Sequence, residues 1–92
     1  MSRAGRVQVR VCLRDRHTGR EAVIKRHMDG DVAADEWYLD KRIRLMCLRA
    51  KLRFIDLHGT VRLASAKWKV QIDGANVTEA YAPTDASGTI TP

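Results

Sequence analysis

The side chains of this chain with the capacity for chemistry are three histidines, two cysteines and two close pairs of carboxylates. His17, His27 and His58 stand at no spacing, from one another or from a cysteine, that would let them close on a metal ion. Each falls in or beside an expected turn or strand end, where solvent or a backbone group satisfies an imidazole. Cys12 and Cys47 form no spaced motif. One is expected in a strand and the other in a helix, and both read as buried reduced thiols rather than as a disulfide. Asp29 with Asp31, and Asp35 with Glu36, have the residue types of an acid–base pair. They lie where a helix begins, however, and there capping and the positive end of the helix dipole account for carboxylates without a reaction. No phosphate-cradling glycine loop and no nucleophile elbow is present. Asn76-Val77-Thr78 has the form of a glycosylation acceptor, which carries no meaning without a secretion signal. The pattern implies no catalytic residue, no metal site and no cofactor, and so a protein that binds rather than catalyses.

What the chain has in excess is positive charge. Lys and Arg number 17 against 11 acidic residues, a formal charge of +6, and 12 of the 17 are Arg. A guanidinium fork meets phosphate or carboxylate through two parallel hydrogen bonds, so this bias suits an anionic partner. A genome whose coding favours Arg would raise the same count with no functional cause. With 92 residues the chain is one domain with a thin core, poorly suited to a deep substrate pocket.

The elements that must position these charges follow from periodicity. Residues 1–5 read as a flexible N-terminal arm. Val7, Val9, Val11 and Leu13 alternate with Gln8, Arg10, Cys12 and Arg14, a period of two that specifies a strand. His17-Thr18-Gly19 reads as a turn, and Ala22 to Met28 as the second strand of a hairpin. Asp29-Gly30-Asp31 ends that strand and offers a helix N-cap. Val32, Glu36, Leu39, Ile43, Met46, Cys47 and Ala50 then fall on one side of a helix. Acids from Asp29 to Asp40 precede bases from Lys41 to Lys51, an order that complements the helix dipole and would explain part of the basic cluster. Leu52 to Leu57 could continue the helix or begin a strand; the strand is preferred, because His58-Gly59 reads as a turn and Val61 and Leu63 alternate after it. Ala66, Trp68, Val70 and Ile72 alternate against Lys67, Lys69, Gln71 and Asp73 in a last strand that ends at Asp73-Gly74. The expected fold is α+β: an antiparallel β-sheet in the order β-β-α-β-β, a fifth strand left open, with one helix packed on one face. Residues 6–74 form the domain. Residues 75–92 are a C-terminal segment, disordered from about residue 83.

Two surfaces then carry candidate binding residues. The sheet face opposite the helix presents Arg6, Gln8, Arg10 and Arg14 from the first strand and Lys67 and Lys69 from the last. If those strands are neighbours, these residues form one patch able to neutralise phosphates, and nucleic-acid binding there would weaken steeply with salt. The face lacks the exposed aromatic rings on which single-stranded bases stack, so contact with the backbone is expected rather than reading of sequence. The second surface is the outer side of the helix, with Trp37, Tyr38, Lys41, Arg44, Leu45 and Leu48. Aromatic and Arg residues mixed with Leu have the composition of a protein-binding hot spot. The bland alternative is that Val77 and Tyr81 fold over this side and cover it.

The expected function is that of a small basic binding protein engaging a nucleic acid or a ribonucleoprotein complex, acting as a phage-type inhibitor or regulator of a host nucleic-acid machine, such as an anti-defence protein. The alternatives are an adaptor or inhibitor that binds protein through the outer helix face without touching nucleic acid, and a small enzyme using acidic residues. Pairing of two copies through the helix face is left open. The start of the chain lacks the apolar core of a signal peptide, and no apolar run has the length of a membrane span. The expected location is the cytoplasm, of its own or of a host cell.

Overall fold

Val7, Val9, Val11 and Leu13 are fully buried along β1 (Arg6–Asp15), one of the two inner strands of a four-stranded antiparallel sheet of order β2-β1-β3-β4. The computed structural model from which this is read describes residues 5–83, 85 and 86. β2 (Glu21–Asp29) returns from the expected turn and pairs along nearly the whole of β1, with Val11 opposite Ile24. β3 (Ala66–Ile72) pairs with the other side of β1, Val11 opposite Val70. Asp73 (φ 48°) and Gly74 (φ 84°) then take the left-handed conformation at both central positions of a two-residue turn. This geometry suits the twist of a hairpin and favours an Asp-Gly sequence. The turn leads into the short β4 (Ala75–Asn76). Asp73 exchanges two bonds with Gln8, since its N–H donates to the Gln8 carbonyl (2.9 Å) and its carboxylate accepts from the Gln8 N–H (2.9 Å). The α+β architecture is as the periodicity implies.

The helical layer differs from the expectation at both ends. The chain first makes one short turn, α1 (Gly30–Ala33), whose N-cap Asp29 makes no side-chain capping bond. The long helix α2 (Glu36–His58) starts only after Asp35, whose carboxylate accepts from the Tyr38 N–H at 3.1 Å. Glu36, placed by periodicity on the inner stripe, is exposed at the first turn. The stripe continues past Ala50 to Phe54, which is fully buried, so Leu52 to Leu57 is helix and not strand. The physical reason is spacing: Phe54 follows Ala50 by one helical turn, and no Gly or Pro interrupts the run until Gly59. Gly59 ends the helix with φ 79° and its N–H bonded to the Ile55 carbonyl.

Val61–Ser65 likewise forms a 3-10 helix where a strand was expected. Its shape is tied to Asp15, the buried charged residue at the end of β1. The coil carries Ser65 onto one Asp15 oxygen (2.5 Å), and Thr18 donates to the other (2.6 Å). Arg62 stands 3.8 Å from the same carboxylate. A buried charge needs such partners, and an extended chain would not deliver Ser65 and Arg62 together. α2 lies over β1 and β2. The short α3 (Thr78–Tyr81) lies over β3, with Val77 and Tyr81 packed at the margin of the core. The arm expected over residues 1–5 lies outside the described residues except for Gly5. Of the tail expected from about residue 83, Asp85 accepts a bond from the Trp68 indole through its carbonyl (3.0 Å) and Ala86 is buried in the core. Residues 84 and 87–92 lie outside the described ones. No helix among the described residues is long and apolar enough to cross a membrane.

Candidate nucleic-acid interface

Strand order makes the two basic strands neighbours. On the side of the sheet away from α2, β1 presents Arg6, Gln8, Arg10, Cys12 and Arg14, and the register sets Lys67 opposite Arg14, Lys69 opposite Cys12 and Gln71 opposite Arg10. On the other side of β1 the same register sets Lys25 opposite Arg10 and His27 opposite Gln8. The structure thus brings together Arg10, Arg14, Lys67 and Lys69, whereas Arg6 lies at the far end of β1, before the β3 register begins and opposite Asp29. Lys25 and His27 escaped the sequence reading, although the alternation of Ala22 and Ile24 with Val23 and Lys25 already assigns them to this face. Phe, Trp and Tyr do not occur among the residues that these three strands present here.

The electrostatics of this face are lopsided. Lys67 and Arg14 form a like-charge cross-strand pair, and Lys25 and Arg10 form a second, each of which weakens a sheet. Acids are present at its margins: Glu21 opposite Arg14, Asp29 opposite Arg6, and Asp73 at the turn. The ion pairs found among the described residues, Arg44 with Asp40 and Arg62 with Asp15, involve no cation of this face. Arg10 reaches Gln71 at 3.5 Å, a long and neutral contact. Cys12 is buried among these charges, its thiol 3.4 Å from the Glu21 carboxylate. Burial, reinforced by that carboxylate, pushes the Cys12 thiol up to about 11. Burial inside α2 pushes Cys47 up to about 12. Both cysteines are free, and neither has the lowered pKa of a nucleophile.

The outer side of α2 divides. Trp37 is 69% exposed and Tyr38 is 39% exposed. The Lys41 ammonium sits 5.3 Å from the Trp37 ring centroid, within cation–π range. Arg44 is exposed and bonded to Asp40 at 2.8 Å, one turn before it. Leu45 and Leu48 are half-buried. Val77 and Tyr81 reach the core's edge but leave Trp37 and Tyr38 open to solvent.

The helix boundaries also change the account of the basic run. With α2 ending at His58, Lys41 to Lys51 occupy its middle, and its last turn carries His58 as the basic residue. Dipole effects die away within one turn of a helix end, so the dipole does not explain these bases. Asp15 is held well below the usual carboxylate range, chiefly by the Ser65 hydroxyl and then by Thr18. That bonding is structural, since the carboxylate is fully enclosed. Among the described residues no group of three or more His, Cys, Asp or Glu gathers as a metal site. No family model, no curated protein and no solved structure matches this chain.

Proposed function

We propose that this protein binds the phosphate backbone of a nucleic acid, alone or within a ribonucleoprotein, through the open face of its sheet, and that it does so without catalysis. The observation that carries this reading is the pairing of like charges across adjacent strands, Arg14 with Lys67 and Arg10 with Lys25. Such pairs cost stability, and a row of phosphates turns that repulsion into attraction. Without Phe, Trp or Tyr on the face, readout of sequence is weak and affinity rests on charge. An inhibitor or regulator of a nucleic-acid machine, an anti-defence protein included, is the same reading with a ribonucleoprotein as target. It places the protein in the cytoplasm of its own or of a host cell. The test is binding of a labelled duplex and of a single strand across a salt series, with Arg10→Glu and Lys67→Glu as variants. Undiminished binding by both variants overturns the proposal.

A second reading has its own support in the exposed pair Trp37 and Tyr38, with Lys41 over the indole. Large exposed aromatics next to cations favour a protein partner at this end of α2. Loss of a captured partner on Trp37→Ala, with nuclease present throughout, separates this reading from the first.

A further inference from the structure

The groove between the edge strand β2 and α2 is a second concentration of positive charge, reaching round the sheet edge from the margin of the open face to the helix. It forms a cleft of about 520 Å³ with Val23, Ile24 and Leu52 in its walls. That is within the roughly 300–1,000 Å³ of small-ligand clefts. Its cationic groups are Lys25, Arg26, Arg49 and Arg53. A narrow pit lined by Arg42 and Leu45 shares Arg26 and Arg49 with it and extends the charged wall along the helix.

The arrangement follows from α2 running unbroken to His58. Arg42, Arg49 and Arg53 fall on one flank of that helix, at spacings of seven and four residues. Arg26 faces them because it lies on the helix side of β2, in line with Ala22 and Ile24. Two of the guanidinium groups are anchored by the edge strand itself. Arg53 donates to the Val23 carbonyl at 2.8 Å, and Arg26 donates to the Lys25 carbonyl at 3.2 Å. Each such bond uses one of five N–H donors and leaves the others for a ligand. The two ion pairs found among the described residues involve none of these four arginines. Three guanidinium groups beside the cleft and a fourth at the adjoining pit repel one another, and a multiply charged anion relieves that repulsion while meeting several forks at once.

We infer that the β2–α2 cleft is a binding site for closely spaced phosphates, with Arg26, Arg49 and Arg53 gripping the anion and Arg42 extending its reach. The chemistry is shared by a free oligophosphate and by a stretch of nucleic-acid backbone. The site shares Lys25 with the margin of the open sheet face, but its arginines lie off that face, so it stands whether or not that face binds nucleic acid.

The test titrates inorganic tripolyphosphate into the full chain and follows the backbone amide resonances. Wild type is expected to show saturable shifts confined to Val23–Arg26 and Arg49–Arg53. The Arg26→Gln/Arg49→Gln double variant should bind at least tenfold more weakly. Arg16→Gln/Arg20→Gln, which removes the same charge from the β1–β2 turn, should bind as wild type does. Arg49→Gln alone, at an exposed helix position, serves if the double variant does not fold, and should itself weaken binding several-fold. Shifts spread over the surface, or equal affinity in wild type and the Arg49→Gln variant, overturn the site. Displacement of a labelled single strand by tripolyphosphate would assign the phosphates to a strand crossing the cleft. Tripolyphosphate binding without displacement would assign them to a free oligophosphate.

Discussion

Arg14 and Lys67 stand directly opposite one another on adjacent antiparallel strands, two cations sharing one face of the sheet. Glu21, across the other neighbouring strand, is the acid closest to them in register. Placing like charges in this position costs a few tenths to about 1 kcal/mol relative to a neutral pair. In a domain of this size such a cost is a measurable part of the net stability.

That pair yields a prediction in which binding and stability move in opposite directions. Lys67→Glu converts repulsion into attraction across the strands, so thermal unfolding should shift upward slightly, by the equivalent of about 0.2–1 kcal/mol. Nucleic-acid affinity should fall about tenfold or more in the same variant, read by fluorescence anisotropy. For wild type and a duplex, the logarithm of affinity against the logarithm of salt should have a slope steeper than about −3, at about −0.9 per phosphate neutralised. A flat salt response would remove the case for the sheet face.

The outer and inner sides of α2 should respond differently to truncation. Phe54 is fully enclosed and meets the His58 ring edge-on at a centroid distance of 5.0 Å. Phe54→Ala should cost about 3–5 kcal/mol and come close to unfolding the protein. Trp37→Ala should change stability by less than about 0.5 kcal/mol, because its ring is mostly in solvent. Chemical denaturation of the two variants checks the contrast. A large loss from Trp37→Ala would show that its face is packed in solution.

Asp15 makes stability depend on acid. Its folded carboxyl lies below the ordinary range because Ser65 and Thr18 donate to the ionised form. A depressed folded pKa contributes stability that is complete above the unfolded value, about 4, and is lost as pH falls through that value toward the folded one. Melting temperature should therefore hold near neutrality and drop on acidification below about pH 4. Ser65→Ala should lower stability at neutral pH by several degrees and make the acid-induced fall shallower. An unchanged acid profile in Ser65→Ala would show that this contact does not govern Asp15.

The cysteines give a simple check on packing. With thiols raised to about 11 at Cys12 and about 12 at Cys47, almost no thiolate exists at neutral pH. A disulfide reagent should label neither residue in the folded protein within minutes and both once it is unfolded. Rapid labelling of Cys12 in the native state would mean that the sheet face opens around it.

Much of the scaffold was legible because alternation is a local property. Val7, Val9, Val11 and Leu13 against Arg10 and Arg14, and Trp68 and Val70 against Lys67 and Lys69, assign each side chain to a face from period alone. The hairpin and the helix seed from Leu39 to Ala50 were legible for the same reason. Strand order was not, because pairing β1 with β3 joins residues some sixty positions apart, as Arg10 and Gln71 are. Local propensity carries no term for that pairing, so whether the cations of the two strands met was a matter for tertiary structure alone.

The span from Leu52 to Ser65 was misread for a related reason. A short apolar run has no distinctive period until something packs against it, and Phe54 becomes a helix residue by entering the core. The coil at Val61–Ser65 answers to the buried charge of Asp15, fifty positions earlier. The longer helix in turn lined up Arg42, Arg49 and Arg53 beside Arg26, a cluster no linear spacing announces. The amino-acid order by itself determined an α+β domain with excess positive charge and without a spaced catalytic or metal-binding motif. Only the folded structure decided that this charge gathers on one sheet face and in one cleft. Charge is written in the residues, but the proximity that makes it attract an anion depends on which distant segments bury their apolar sides together.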